Sequence, residues 1–303
     1  MQTDFSPMSA AELMDRAFDI YKKSFGKQIA FAALFFLVFF VSLILFGAII
    51  IAIAGSLFLV SGLSFTDLLP LFPFVILFFV LWYSASQAVH ILLSRQAFYG
   101  HRVKLPARQL PLVIFRVCLT VIAQFIVSLP FIGLFALINM SAVNVAFVNA
   151  GVWVLPLLTL VLMLGYLLYT NIFLLSITVS VFEGKTFFNA IYRSWQLTKC
   201  EFWKIAGMRI IWILIIIMIG LSIWGGSELT GMLINFVVDS FDLNILITTI
   251  LSNIALVLIE IALIVSIILI IPLEGTFLST LYFNQRIKKE GLDIEISLGR
   301  LSL

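Results

Sequence analysis

A chain of 303 residues that is 63% hydrophobic and only 11% charged cannot cover a water-exposed surface with polar groups, so its composition excludes a soluble globular fold and points to lipid as solvent. The net charge of +3 needs no nucleic acid to explain it, and two cysteines with two histidines are too few for a disulfide framework or a zinc site. The placement of charge says more. All 18 Lys and Arg lie in four stretches, 16–27, 95–116, 185–209 and 286–300, and the connections around 55–69, 140–152 and 225–245 contain none. Because short basic loops stay cytoplasmic, this predicts an all-α integral membrane protein, a bundle of six transmembrane helices with both termini inside. The inner segments then hold eighteen bases against nine acids, an excess that faces the anionic cytoplasmic leaflet, while Asp67, Glu228, Asp239 and Asp242 stand outside.

The first element, 9–27, reads as an interfacial amphipathic helix. Ser9 and Glu12 have the spacing of a capping box. Met14, Phe18, Tyr21 and Phe25 follow at i, i+4, i+7 and i+11 as one apolar stripe, opposite Asp15, Arg16, Asp19, Lys22 and Lys23, the pattern of a helix lying in the membrane plane before the chain turns down. Span one, about 29–54, begins too late and runs too long for a cleavable signal peptide. Span two, about 70–95, opens on Pro70 and Pro73 and carries Tyr83, Gln87, His90 and Ser94 on one face. Such a stripe must look into the bundle, where it either lines a polar cavity or supplies interhelical hydrogen bonds.

Spans three and four occupy about 112–138 and 153–181. A second interfacial helix is expected over 186–199, with Phe188, Ile191 and Trp195 on one side and Asn189, Arg193, Gln196 and Lys199 around the other. Span five runs over about 204–224. The last apolar segment, about 247–284, is too long for one straight span, so its start should lie at or beyond the outer interface and Pro272 should kink it. Glu274 and Asn284 lie on its inner half with Thr276 and Thr280. A carboxylate at the depth of Glu274 must be neutral, or paired with an inner base such as Arg116 or Arg209. Residues 285–303 form a cytoplasmic tail. No stretch is long enough for a soluble domain, so 1–303 reads as a single membrane domain.

Soluble-style chemistry finds no motif: neither a phosphate-binding loop nor a dinucleotide glycine fingerprint nor a His-Glu-x-x-His is present, so no catalytic residue, metal ligand or cofactor is nominated. Three segments do carry a likeness. They are Ala11-Glu12-Leu13-Met14-Asp15-Arg16-Ala17-Phe18-Asp19-Ile20-Tyr21; Phe188-x-Ala190-x-x-x-Ser194-Trp195-x-Leu197 with Phe202-Trp203; and Leu281-Tyr282-Phe283-Asn284-x-Arg286-x-x-x-Glu290-Gly291-Leu292-Asp293. Together they resemble the bacterial family known as the membrane domain of glycerophosphoryl diester phosphodiesterases and its free-standing relatives, through short motifs spread over nearly the whole chain. The resemblance implies a helical domain of the bacterial plasma membrane. Hydrolysis in the two-domain relatives belongs to a soluble barrel that this chain has no residues to build, so the likeness carries over no phosphodiesterase activity.

The expected function is that of a non-catalytic module at the cytoplasmic leaflet, with anionic membrane lipids or a protein in the membrane as partner and Arg193, Lys199, Arg286 and Lys289 as headgroup or partner contacts. Two alternatives stand beside it. One is a small transporter or channel built on Tyr83, Gln87, His90 and Ser94 with Glu274 and Asn284; the other is an intramembrane lipid-modifying enzyme.

Overall fold

The computed structural model describes residues 7–61, 72–99, 109–139, 154–240 and 245–291. Pro70, the outer connection 140–152 and the tail beyond 291 lie outside these residues; of the other two outer connections, 55–61 and 225–240 are helical, so span five runs on past 224 to Ser240, and residues 285–290, expected in the tail, continue the last helix. Among the described residues no strand occurs, and eight helices follow in order: α1 (Ala10–Ser61), α2 (Phe72–Tyr99), α3 (Leu110–Asn139), α4 (Val154–Thr170), α5 (Ser176–Glu183), α6 (Phe187–Thr198), α7 (Phe202–Ser240) and α8 (Ile245–Glu290). Six helical stretches are long and apolar enough to cross a membrane, α4 and α5 together forming the fourth. The chain is thus an all-α, six-helix membrane bundle. Helices are the natural solution, because each satisfies its own backbone polar groups where lipid offers no partner.

The capping box at the start of α1 forms, with the Ser9 amide donating to Glu12 Oε2 at 2.7 Å and the Glu12 amide to Ser9 Oγ at 3.4 Å. The separate in-plane helix does not. No proline interrupts α1, which runs for 52 residues as one piece, about 78 Å at ~1.5 Å per residue. Its packed face is also one position off the apolar stripe of the sequence: Leu13, Ala17, Ile20, Ser24 and Gln28 are buried, whereas Phe25 is 44% exposed. Small and polar residues win that face because they let α1 approach its neighbour closely.

That neighbour is α8, the hub of the bundle, which packs on α1, α7 and α2. Trp212 of α7 stacks on Phe277 of α8 with ring centroids 4.3 Å apart and meets Phe18 of α1 at 5.4 Å. Gly275 makes the α2–α8 crossing possible, since a Cβ there would stand 3.1 Å from the His90 Cβ. α8 continues through Pro272, and the Tyr21 hydroxyl donates to the Leu269 carbonyl at 3.1 Å, close to the hydrogen bond that Pro272 cannot make. The buried core lies in the half of the bundle that carries the Lys and Arg residues, here termed the basic end. Towards the other end α1, α7 and α8 expose Leu, Ile, Val and Phe, as helices immersed in hydrocarbon can at no cost.

Span four departs from a single helix. After Thr170 the chain passes through a 3-10 turn, Asn171–Phe173, and two turn residues before α5 begins at Ser176. The freed backbone groups are taken up by side chains. Gln124 of α3 donates to the Phe173 carbonyl (3.1 Å), the Leu175 amide donates to Ser194 Oγ of α6 (3.1 Å), and Arg209 of α7 donates to the Leu167 carbonyl (3.3 Å). Irregular backbone at this depth persists because neighbouring helices satisfy it.

Candidate functional site

At the basic end α6 forms the separate helix expected of it. Ala190, Ile191, Ser194, Leu197 and Thr198 are buried against the bundle, which moves Ile191 off the predicted apolar side. The outward stripe is Phe188, Tyr192, Trp195 and Lys199 at i, i+4, i+7 and i+11. Tyr192 is 64% exposed, and the ridge continues into α7 with Trp203, 75% exposed, and the exposed Lys204. Trp195, Phe202 and Trp203 meet edge to face, with centroids 6.1 and 5.6 Å apart.

The four bases expected to contact headgroups or a partner stand in different surroundings. Lys199 stands on the outward ridge. Lys289 donates to the Gln196 carbonyl at 3.1 Å. Arg193 and Arg286 have partners inside the chain. Arg193 Nε donates to both oxygens of Glu183 (2.9 and 3.1 Å) and its Nη2 bonds Glu290; Arg286 Nε donates to Glu290 at 2.8 Å, and the Tyr282 hydroxyl to Glu183 at 3.0 Å. This network ties α5 and α6 to the end of α8, so Arg193 and Arg286 have carboxylate partners within the chain. A second tie links the bend after α6 to α8, where Glu201 accepts from Gln285 (2.9 Å) and Lys288 (3.3 Å).

The polar residues expected on span two and the last span do not form one stripe. Ser94 belongs to a buried knot: Gln28 Nε2 donates to Ser24 (2.7 Å), Thr276 (3.2 Å) and Ser94 (3.4 Å), and the Ser94 and Thr276 hydroxyls lie 3.1 Å apart. α1, α2 and α8 are joined there with every member satisfied. Asn284 serves the N-terminus, accepting from the Met8 amide at 3.0 Å and donating to its carbonyl at 3.4 Å. Gln87 and His90 are fully buried, and Gln87 Oε1 and both imidazole nitrogens have no hydrogen-bond partner among the described residues.

A further polar cluster surrounds the break in span four. One terminal nitrogen of Arg209 donates to Thr170 Oγ1 (2.6 Å), Asn171 Oδ1 (3.1 Å) and the Leu167 carbonyl (3.3 Å). A cation is well placed there, because the end of α4 presents unsatisfied carbonyls. Among the described residues no ion pair closes between Arg209 and Glu274 of α8. Arg116, the other inner base expected as a partner for Glu274, packs on Gly184 instead. Thr170 and Asn171 were missed in the sequence. Their signal is a polar pair in the middle of a long apolar run.

Comparison with known proteins adds no relative: no family model, no curated protein and no solved structure matches this chain.

Proposed function

We propose that this chain is a non-catalytic multi-pass module of the bacterial plasma membrane, whose basic end lies at the cytoplasmic leaflet and engages anionic lipid through the α6–α7 ridge. The exposed row Phe188, Tyr192, Trp195 and Lys199 carries the reading. A helix face turned to water would not keep three aromatics in line. At a headgroup boundary the rings occupy the interface and the lysines reach phosphates, each well-placed base contributing about 1 kcal/mol. The likeness to a family of bacterial membrane domains supports the same setting.

Brominated lipids test it. A variant keeping Trp203 as its sole tryptophan is placed in bilayers with brominated phosphatidylglycerol or brominated phosphatidylcholine at equal mole fraction. Stronger quenching by the anionic lipid is expected, falling to parity with Lys199→Glu and Lys204→Glu and at high salt, where the Debye length shrinks to ~3 Å. Parity in the unmodified ridge would refute the proposal. A protein partner would instead shield Trp203 from both lipids.

A second reading, a small transporter, is favoured by one observation: span four is interrupted beside the half-buried Arg209, and discontinuous helices commonly line transporter sites.

A further inference from the structure

We propose that Arg95 of α2 and Arg116 of α3 form a two-pronged receptor for a phosphomonoester dianion at the end of α5. The site does not depend on the α6–α7 ridge. Both arginines stand against the last turn of α5: the Arg95 guanidinium lies over the Phe182 ring, 5.7 Å from its centroid, and Arg116 crosses Gly184, where a Cβ would stand 2.7 Å from Nη1. Both are half-buried, so each keeps surface that a ligand can reach. Neither donates a hydrogen bond or closes an ion pair among the described residues. In this they differ from Arg193, Arg209 and Arg286, which all bond groups inside the chain.

Glu183, the one acid on α5, is taken. It accepts from Arg193 and Tyr282 and pairs with Lys185 at 3.4 Å, so the charges of Arg95 and Arg116 are left over. Their supports are fixed. Phe182 packs on Tyr282 and Phe283 with centroids 5.3 and 5.0 Å apart, and both of those rings are buried. Gly184, at φ +68°, ends α5. A guanidinium resting on such a support loses little freedom when it binds.

Two guanidinium forks match an acceptor with several terminal oxygens, and two unpaired charges are neutralised by a dianion. A carboxylate or a phosphodiester brings a single charge. A phosphomonoester brings three terminal oxygens and about −1.5 to −2 charge at pH 7. The level of the site points to headgroups. From Phe72 to Ser94 α2 carries no Lys, Arg, Asp or Glu, and α3 carries none from Val117 to Asn139. Each stretch is long enough to cross the hydrocarbon core, which sets both arginines at its edge. Phosphatidic acid and free phosphate share this chemistry.

The full chain in neutral detergent is titrated with dioctanoyl phosphatidic acid, dioctanoyl phosphatidylglycerol and inorganic phosphate, following heat by calorimetry and stoichiometry by native mass spectrometry. Phosphatidic acid should saturate one site at least tenfold more tightly than phosphatidylglycerol. Inorganic phosphate that displaces it identifies a soluble phosphate as ligand, and inorganic phosphate without effect identifies a headgroup. Arg95→Lys with Arg116→Lys keeps both charges, loses both forks and strands no carboxylate; it should weaken the site at least tenfold. Lys199→Glu with Lys204→Glu, which disarms the ridge, should leave it unchanged, so failure of the ridge reading and failure of this one are told apart. If the double lysine variant fails to fold, judged by far-UV circular dichroism and gel filtration, Arg116→Lys decides alone. No saturation, equal affinity for the two lipids, or full affinity in the lysine variant overturns the proposal.

Discussion

Arg193→Met separates a headgroup ligand from a structural cation. The native side chain makes two bonds to Glu183 and one to Glu290, and Arg193, Glu183 and Glu290 are only 19%, 13% and 26% exposed, so solvent screens them weakly. Methionine keeps the apolar stem and deletes the charge. Glu183 then retains Tyr282 and Lys185, and Glu290 retains Arg286, so neither carboxylate is abandoned and the loss stays below that of a stranded buried charge. Removing three charge-assisted bonds under these conditions costs about 2–3 kcal/mol, or a ~30–150-fold larger unfolding constant. Steric trapping in a neutral detergent free of anionic lipid measures it, and a double-mutant cycle with Glu290→Gln should give a coupling above about 1 kcal/mol. Full stability in neutral detergent, with a loss that appears only in anionic lipid, would refute the structural assignment and restore Arg193 to the headgroups.

Gln28→Leu should cost about 1–2 kcal/mol by the same assay, because Ser24, Ser94 and Thr276 each lose a partner and intramembrane hydrogen bonds average ~0.6 kcal/mol. Gly184→Ala should destabilise by about 1 kcal/mol, since φ there is +68° and the new Cβ would meet Arg116 Nη1 at 2.7 Å; thermal unfolding reads the loss. Gly275→Val should force α2 from α8, seen as lost disulfide formation between cysteines placed by Ser94→Cys and Thr276→Cys, whose native hydroxyls are 3.1 Å apart.

The span count and the grouping of bases were legible because hydropathy and charge act through length and placement, which a linear sequence records directly. Helix faces were less so. Periodicity marked Met14, Phe18, Tyr21 and Phe25 as a stripe turned to the membrane, and Phe25 is indeed exposed, but it did not show that α1 also packs on the bundle through the neighbouring row Leu13, Ala17, Ile20, Ser24 and Gln28. The break in span four was invisible because what holds it, Arg209, Gln124 and Ser194, comes from three distant helices. Arg193 and Arg286 looked free for the same reason, their acids lying on α5 and at the end of α8.

The arrangement of the basic end at the cytoplasmic face is tested most directly by thiol labelling in intact cells, with Cys118 and Cys200 replaced by serine and single cysteines introduced by Ser240→Cys, Lys199→Cys and Lys289→Cys. A membrane-impermeant maleimide should label position 240 from outside and reach 199 and 289 only after permeabilisation. Labelling of 199 or 289 in sealed cells, with 240 protected, would contradict the account.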